Sequence, residues 1–87
     1  MKYTVVWTDD ATADFMEIWA SSIDKEAVTA AARFVDQVLE SQPLHEKHEV
    51  VGGFGTLISE LVGVDFWLDE DNLRVFVMAA WPVSEGE

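Results

Sequence analysis

The chain has no cysteine, one tyrosine, two prolines and only five basic residues among its 87. Without cysteine it can form neither a disulfide nor a thiolate metal site, which suits a reducing cytoplasm, the location expected here. Its longest apolar run is far too short to cross a bilayer, so no membrane role is expected. Its first residues alternate polar and apolar and reach Asp9-Asp10 early, unlike a signal peptide. The shortage of cations excludes most. Seventeen acids stand against five bases, a formal charge of −12, and Lys2, Lys25, Arg33, Lys47 and Arg74 do not cluster in sequence. Affinity for nucleic acid comes mainly from Lys and Arg neutralising phosphates, so direct nucleic-acid binding is disfavoured. Such a surface suits a basic partner or none, and plain solubility accounts for the charge by itself.

What is present is a patterned last third. Three strands read as Phe54–Glu60, Val64–Leu68 and Leu73–Trp81, rich in β-branched and aromatic residues. Val62-Gly63 breaks the first pair, and Asp69-Glu70-Asp71-Asn72 breaks the second. Setting Leu68 opposite Leu73 places Phe66 across from Val75 and Val64 across from Val77. One face is then Val64, Phe66, Leu68, Leu73, Val75, Val77 and Ala79, without a charge. The other holds Asp65, Trp67, Arg74, Phe76 and Met78, half apolar and half charged.

The first half of the chain should cover the apolar face. Lys2 to Thr8 alternates as a strand, with Tyr3, Val5 and Trp7 on one side. Thr8-Asp9-Asp10 offers an N-cap to a helix of about Asp10 to Ser21, on which Ala11, Phe15, Ile18 and Trp19 recur at helical spacing. Asp24 caps a second helix of about Lys25 to Ser41, with a stripe of Val28, Ala31, Ala32, Val35, Val38, Leu39 and Gln42. Pro43 should end it. His45 to Val51 reads as a polar connector, and Gly52-Gly53 frees the backbone to enter the sheet. Pro82 should stop strand pairing after Trp81. The expectation is one domain, residues 1–87, of α+β class. It has two layers in the order β-α-α-β-β-β, with a helical hairpin on one face of a mostly antiparallel sheet. Strand 1 is expected beside the last strand, which is apolar on both faces and reads as central.

Several strings in this order resemble the RelE/ParE-type toxins of bacterial toxin–antitoxin systems, also called plasmid stabilisation proteins. They are Val5-Val6-Trp7-Thr8 leading into the first helix, Glu17-Ile18-Trp19 within it, Leu61-Val62-Gly63-Val64-Asp65-Phe66 running into Leu68-Asp69-Glu70-Asp71, and Val75-Phe76-Val77-Met78-Ala79-Ala80-Trp81. The resemblance covers nearly the whole chain. It implies a small cytoplasmic protein with a cognate antitoxin as partner. One branch of the family cleaves mRNA on the ribosome, and another poisons DNA gyrase. The ribonuclease branch uses Arg and Lys on the sheet and an acid–base residue near the C-terminus. Here Phe54-Gly55-Thr56 occupy a region where that pattern often has arginine, Pro82 follows Trp81, and Tyr3 lies in the first strand. Arg74 is left as the candidate catalytic cation. Phosphoryl chemistry needs both an electrophilic stabiliser and a proton donor–acceptor pair.

Other constellations read as ordinary structure. His45-Glu46-Lys47-His48-Glu49 pairs two histidines with carboxylates but follows Pro43 without helical period, so a solvated loop is expected and no metal. Asp69-Glu70-Asp71-Asn72 lacks the central glycine and distant glutamate of a calcium loop and reads as a turn. Gly52-Gly53-Phe54-Gly55 opens no helix and is no phosphate loop, and no cofactor is expected. Among the tryptophans, Trp7 and Trp19 fall on apolar stripes and read as core. Trp67 lies across from Arg74 in the chosen register, allowing a cation–π contact. Trp67, Arg74, Phe76 and Met78, with Trp81 at the end on the opposite parity, make the candidate partner-binding patch. The leading expectation is a toxin-family protein of a type II toxin–antitoxin system, catalytically degenerate and acting by protein–protein contact, with gyrase one target to consider. The alternatives are an mRNA endoribonuclease using Arg74 and a structural homodimer with no toxic target.

Overall fold

The computed structural model describes residues 2–41 and 50–83. Strand β1 (Thr4–Trp7) runs into helix α1 (Asp9–Ser21), then helix α2 (Lys25–Ser41). Four strands follow: β2 (Val50–Val51), β3 (Phe54–Ile58), β4 (Val62–Asp69) and β5 (Arg74–Pro82). Among the described residues they form one five-stranded sheet in the order β1-β5-β4-β3-β2. Only the β1–β5 pair is parallel; the other three are antiparallel. The sequence-based order and the central position of the last strand agree with this. The two-residue β2 departs from the sequence expectation, in which Val50-Val51 ends a polar connector. The His45 and His48 pair and Pro43 lie outside the described residues.

Local chemistry explains the elements. The Thr8 hydroxyl accepts from the Ala11 amide at 3.2 Å, and Asp9 and Asp10 occupy the first turn of α1, where the dipole favours negative charge. The Asp24 carboxylate accepts from the Ala27 amide at 3.0 Å and starts α2. Gly52 and Gly53 have φ of 61° and 88°, the paired positive values that a two-residue hairpin turn requires, so Val51 and Phe54 become register partners. Ser59 closes the next turn, its hydroxyl donating to the Val62 carbonyl at 2.6 Å. The break therefore falls at Ser59 to Leu61 rather than at Val62-Gly63, and both of those residues belong to β4.

Both helices lie on one face of the sheet. Ala11 and Ile18 from α1 and Val28, Val35 and Leu39 from α2 join Leu57, Val62, Val64, Phe66, Leu68, Val75, Val77 and Ala80 in a single buried cluster. Burying a side chain such as Phe66 or Leu39 contributes about 1.5–3 kcal/mol each, and this cluster is the main stabilising term. Trp7 ties the layers together at its rim. Its indole meets Phe15 edge-on at 5.8 Å, and its Nε1–H donates to Asp36 Oδ1 at 2.7 Å. Trp19 is not core. It is 39% exposed on the outer side of the helical hairpin, with the Lys25 ammonium 5.0 Å from the ring centroid. The core face of α1 is formed by the buried Ala11 and Ile18, with Phe15 packed against the cluster beside them.

Candidate functional site

The register of the β4–β5 hairpin differs from the sequence-based one. Leu73 has φ of 53° and belongs to the turn, with its amide bonded back to the Glu70 carbonyl at 3.3 Å. Asp69 holds that turn through the Asn72 side chain at 2.8 Å. Pairing then begins with Asp69 opposite Arg74, and Leu68, Trp67 and Phe66 face Val75, Phe76 and Val77. The shift is by two residues, so from Asp65 to Asp69 and from Arg74 to Val77 each side chain keeps its expected face while its partner changes. Trp67 is accordingly not opposite Arg74. Its ring stacks on Phe76 at 5.7 Å and 29°, and the proposed cation–π pair is replaced by an aromatic one.

A second departure lies at Met78. Phe66 pairs with Val77 but Asp65 pairs with Ala79, so Met78 is an extra residue on β5. Beyond this bulge the alternation resets. Ala80 enters the core in place of Ala79, and Trp81 comes to the open face opposite Gly63. The Asp14 carboxylate of α1 accepts from the Ala80 amide at 3.2 Å and anchors the reset strand. A side-chain carbon on Gly63 would lie 2.6 Å from the Trp81 ring, so only glycine permits the indole to lie there. Pro82 does not stop pairing before itself: it partners Val62 as the last residue of β5.

The open face can now be assembled row by row. Val51, Phe54, Trp67, Phe76 and Val6 are successive register partners, one from each of the five strands. At the ordinary strand spacing this apolar row runs about 19 Å across the sheet. Phe54 and Trp67 have ring centroids 6.4 Å apart, and with the Trp67–Phe76 stack they make three consecutive aromatic positions. Among the described residues no helix covers them. Val51 is 75% exposed, Phe54 59% and Val6 37%. Beside this row lies Thr56–Asp65–Ala79, in which the Thr56 hydroxyl donates to Asp65 at 2.8 Å, with Met78 exposed at the bulge. On the other side stand Asp69, Arg74 and Thr4. A further row, Ile58–Gly63–Trp81, completes the face.

Trp67, Arg74, Phe76 and Met78 thus share one surface, as the sequence suggested, although with different neighbours, and Trp81, expected on the opposite parity, joins them through the bulge. Phe54, Val51 and Val6 were missed. The signal for two of them was present: Val-Val-Gly-Gly-Phe is a hairpin pattern with a two-glycine turn, and it puts Val51 beside Phe54. Arg74 is exposed at one end of β5, across from Asp69. Among the described residues no group of three or more His, Asp or Glu side chains could hold a metal ion. None of their helices is long and apolar enough to cross a membrane. A second apolar groove runs between α2 and the β3–β4 turn, lined by Ala27, Ala30, Ala31, Phe34 and Leu61.

Known structures share this arrangement of helical hairpin and sheet. A chain of the toxin–antitoxin complex RelBE2 from Mycobacterium tuberculosis superposes with a TM-score of 0.77 over 95% of this chain and 100% of that one, at 16% identity. The isolated E. coli RelE toxin gives 0.67, covering 98% of this chain and 88% of that one at 12% identity. The chromosomal ParDE system of P. aeruginosa gives 0.60, with 95% and 98% covered at 22% identity. This is the RelE/ParE-type toxin fold. The α+β class, the element order and the helical hairpin over one sheet face all agree with it. No protein-family model matches the chain, and no curated protein matches it in sequence.

Proposed function

We propose that the chain is the toxin-family component of a type II toxin–antitoxin system and acts through protein–protein contact at the open sheet face. The observation that carries the reading is the uncovered row Val51–Phe54–Trp67–Phe76–Val6 on a RelE/ParE-type fold. Contiguous exposed apolar surface of this kind marks interfaces, and aromatic residues are enriched in them. The cognate antitoxin is the first partner to consider, since similar structures include toxin–antitoxin complexes. A cytoplasmic protein target, gyrase among the possibilities, is the second. The surface is catalytically sparse: Arg74 stands near the row with carboxylates from Asp65 and Asp69, an arrangement that offers little stabilisation to a phosphorane.

The test is induced expression in a bacterium with and without the neighbouring open reading frame. Growth arrest relieved by the neighbour, together with co-purification of the two products, is the expected result. Replacing Trp67 and Phe76 together by Ala should abolish co-purification while the circular dichroism spectrum is retained. Unchanged co-purification by that variant would remove the open face from the interface. The ribonuclease reading keeps one observation in its favour, because Arg74 lies on the same face as the stacked rings, and aromatic side chains can stack bases. Ribosome-dependent mRNA cleavage that is lost in Arg74→Ala would establish it over the contact reading.

A further inference from the structure

We infer that the partner segment bound at the open face is a cationic amphipathic helix, lying across the strands with its apolar stripe on the Val51–Phe54–Trp67–Phe76–Val6 row. This rests on the contact reading above and specifies the chemistry of the partner. Three observations carry it. First, the row crosses all five strands and offers one apolar side chain per strand. The strands are about 4.8 Å apart, close to the 5.4 Å pitch of a helix, whereas one face of an extended peptide repeats only about every 6.8 Å. A helix presents about one apolar position per turn to each strand in succession.

Second, the flanks are acidic on both sides of the row. Asp65 precedes Trp67 by two residues and Asp69 follows it by two, so both carboxylates rise from the same face of β4, one on either side of the indole. Asp65 is exposed, and the Asp69 end continues into the exposed Glu70 and Asp71 of the turn. Arg74 is the opposing charge, and it stands across from Asp69. Third, the whole chain carries a formal charge of −12, so the field around the face attracts cations and repels phosphate. A lysine or arginine on each side of the partner's apolar stripe would meet Asp65 on one flank and the Asp69–Asp71 turn on the other. An arginine could also lie flat on the exposed part of the Trp67 or Phe54 ring. Like charge disfavours a second copy of this chain as occupant.

The full chain is titrated with two fluorescein-labelled synthetic helices of 18 residues, identical in their leucine stripe, one flanked by lysine and one by glutamate. Binding is read by anisotropy at low and at physiological salt. A third probe is labelled oligouridine. The variant is Val51→Ser with Phe54→Ser, which removes exposed apolar surface, leaves the net charge unchanged and spares the buried cluster. The lysine helix should bind at least tenfold more tightly than the glutamate helix, more weakly at higher salt. The variant should lose about tenfold or more of that affinity. Equal binding of both helices, lost together in the variant, would overturn the cationic partner and leave the contact face intact. Lysine-helix binding unchanged in the variant would overturn docking on this row, as nonspecific attraction to an acidic chain. Failure of both helices to bind, with a dimeric mass that becomes monomeric in the variant, would assign the face to a second copy. Oligouridine binding lost in the variant would assign it to nucleic acid. Either of the last two results overturns the proposal.

Discussion

Gly63 and Trp81 show how much one side chain can decide in so thin a domain. The Trp81 indole lies against the bare backbone of Gly63, and a methyl group there would sit 2.6 Å from the ring. Strand pairing holds the two backbones at this distance, so the added methyl can be accommodated only if the indole rotates off Gly63. Gly63→Ala is therefore expected to destabilise the fold by about 1–3 kcal/mol in urea unfolding. An unchanged midpoint would mean that the indole leaves its position freely. The same residue shows where sequence reading ran out. Glycine beside valine looked like a turn, because glycine marks turns more often than it marks a close approach within a strand. Trp67 is the complementary case. Its face followed from alternation alone, but its partner depended on where the four-residue turn sits, and Leu73 at positive φ places that turn one position later than a leucine suggests.

At the scale of elements, the bulge in β5 and the two helices are linked. Met78 is the extra residue, and it lets Val77 and Ala80 both enter the core while Trp81 comes out onto the open face. The Asp14 carboxylate receives the Ala80 amide just beyond it, so α1 helps hold the reset alignment. Asp14→Ala should cost about 1 kcal/mol and raise the hydrogen-exchange rate of the Ala80 amide selectively. Exchange at Ala80 that is no faster than in the parent chain would show the bulge to be held by strand pairing alone. Helix α2 contributes through Val28, Val35 and Leu39, all within the buried cluster. Leu39→Ala should cost about 2–5 kcal/mol, a large fraction of the stability of a domain this size. That stripe was fully readable from its period, since helical spacing admits few alternatives over so many positions. The two-residue β2 was not, because an element so short carries no period of its own. The bulge was equally hidden, as an inserted residue leaves a strand's composition unchanged.

The whole molecule carries a charge of −12 on 87 residues, and the acids are spread over both helices and the strand turns. Mutual repulsion among them should be relieved by screening. Raising sodium chloride from about 20 mM to about 200 mM is expected to raise the thermal midpoint, read by circular dichroism. A flat or falling midpoint would mean that repulsion is already balanced locally. Burial gives this molecule two unlike surfaces, a helical layer over one sheet face and an uncovered aromatic row across the other. The sequence by itself determined the element order, the two helical stripes and the separation of side chains into a core face and an open face. It could do so because those are matters of period, and a period is local. Only the tertiary structure decided which side chains meet across strands, that Trp81 belongs to the open face, and that Val51, Phe54 and Val6 extend Trp67 and Phe76 into one row. Those depend on turn placement, a single inserted residue and the pairing of strands far apart in the chain: a two-residue shift of register keeps a side chain's face but changes its neighbour, and an inserted residue changes the face as well.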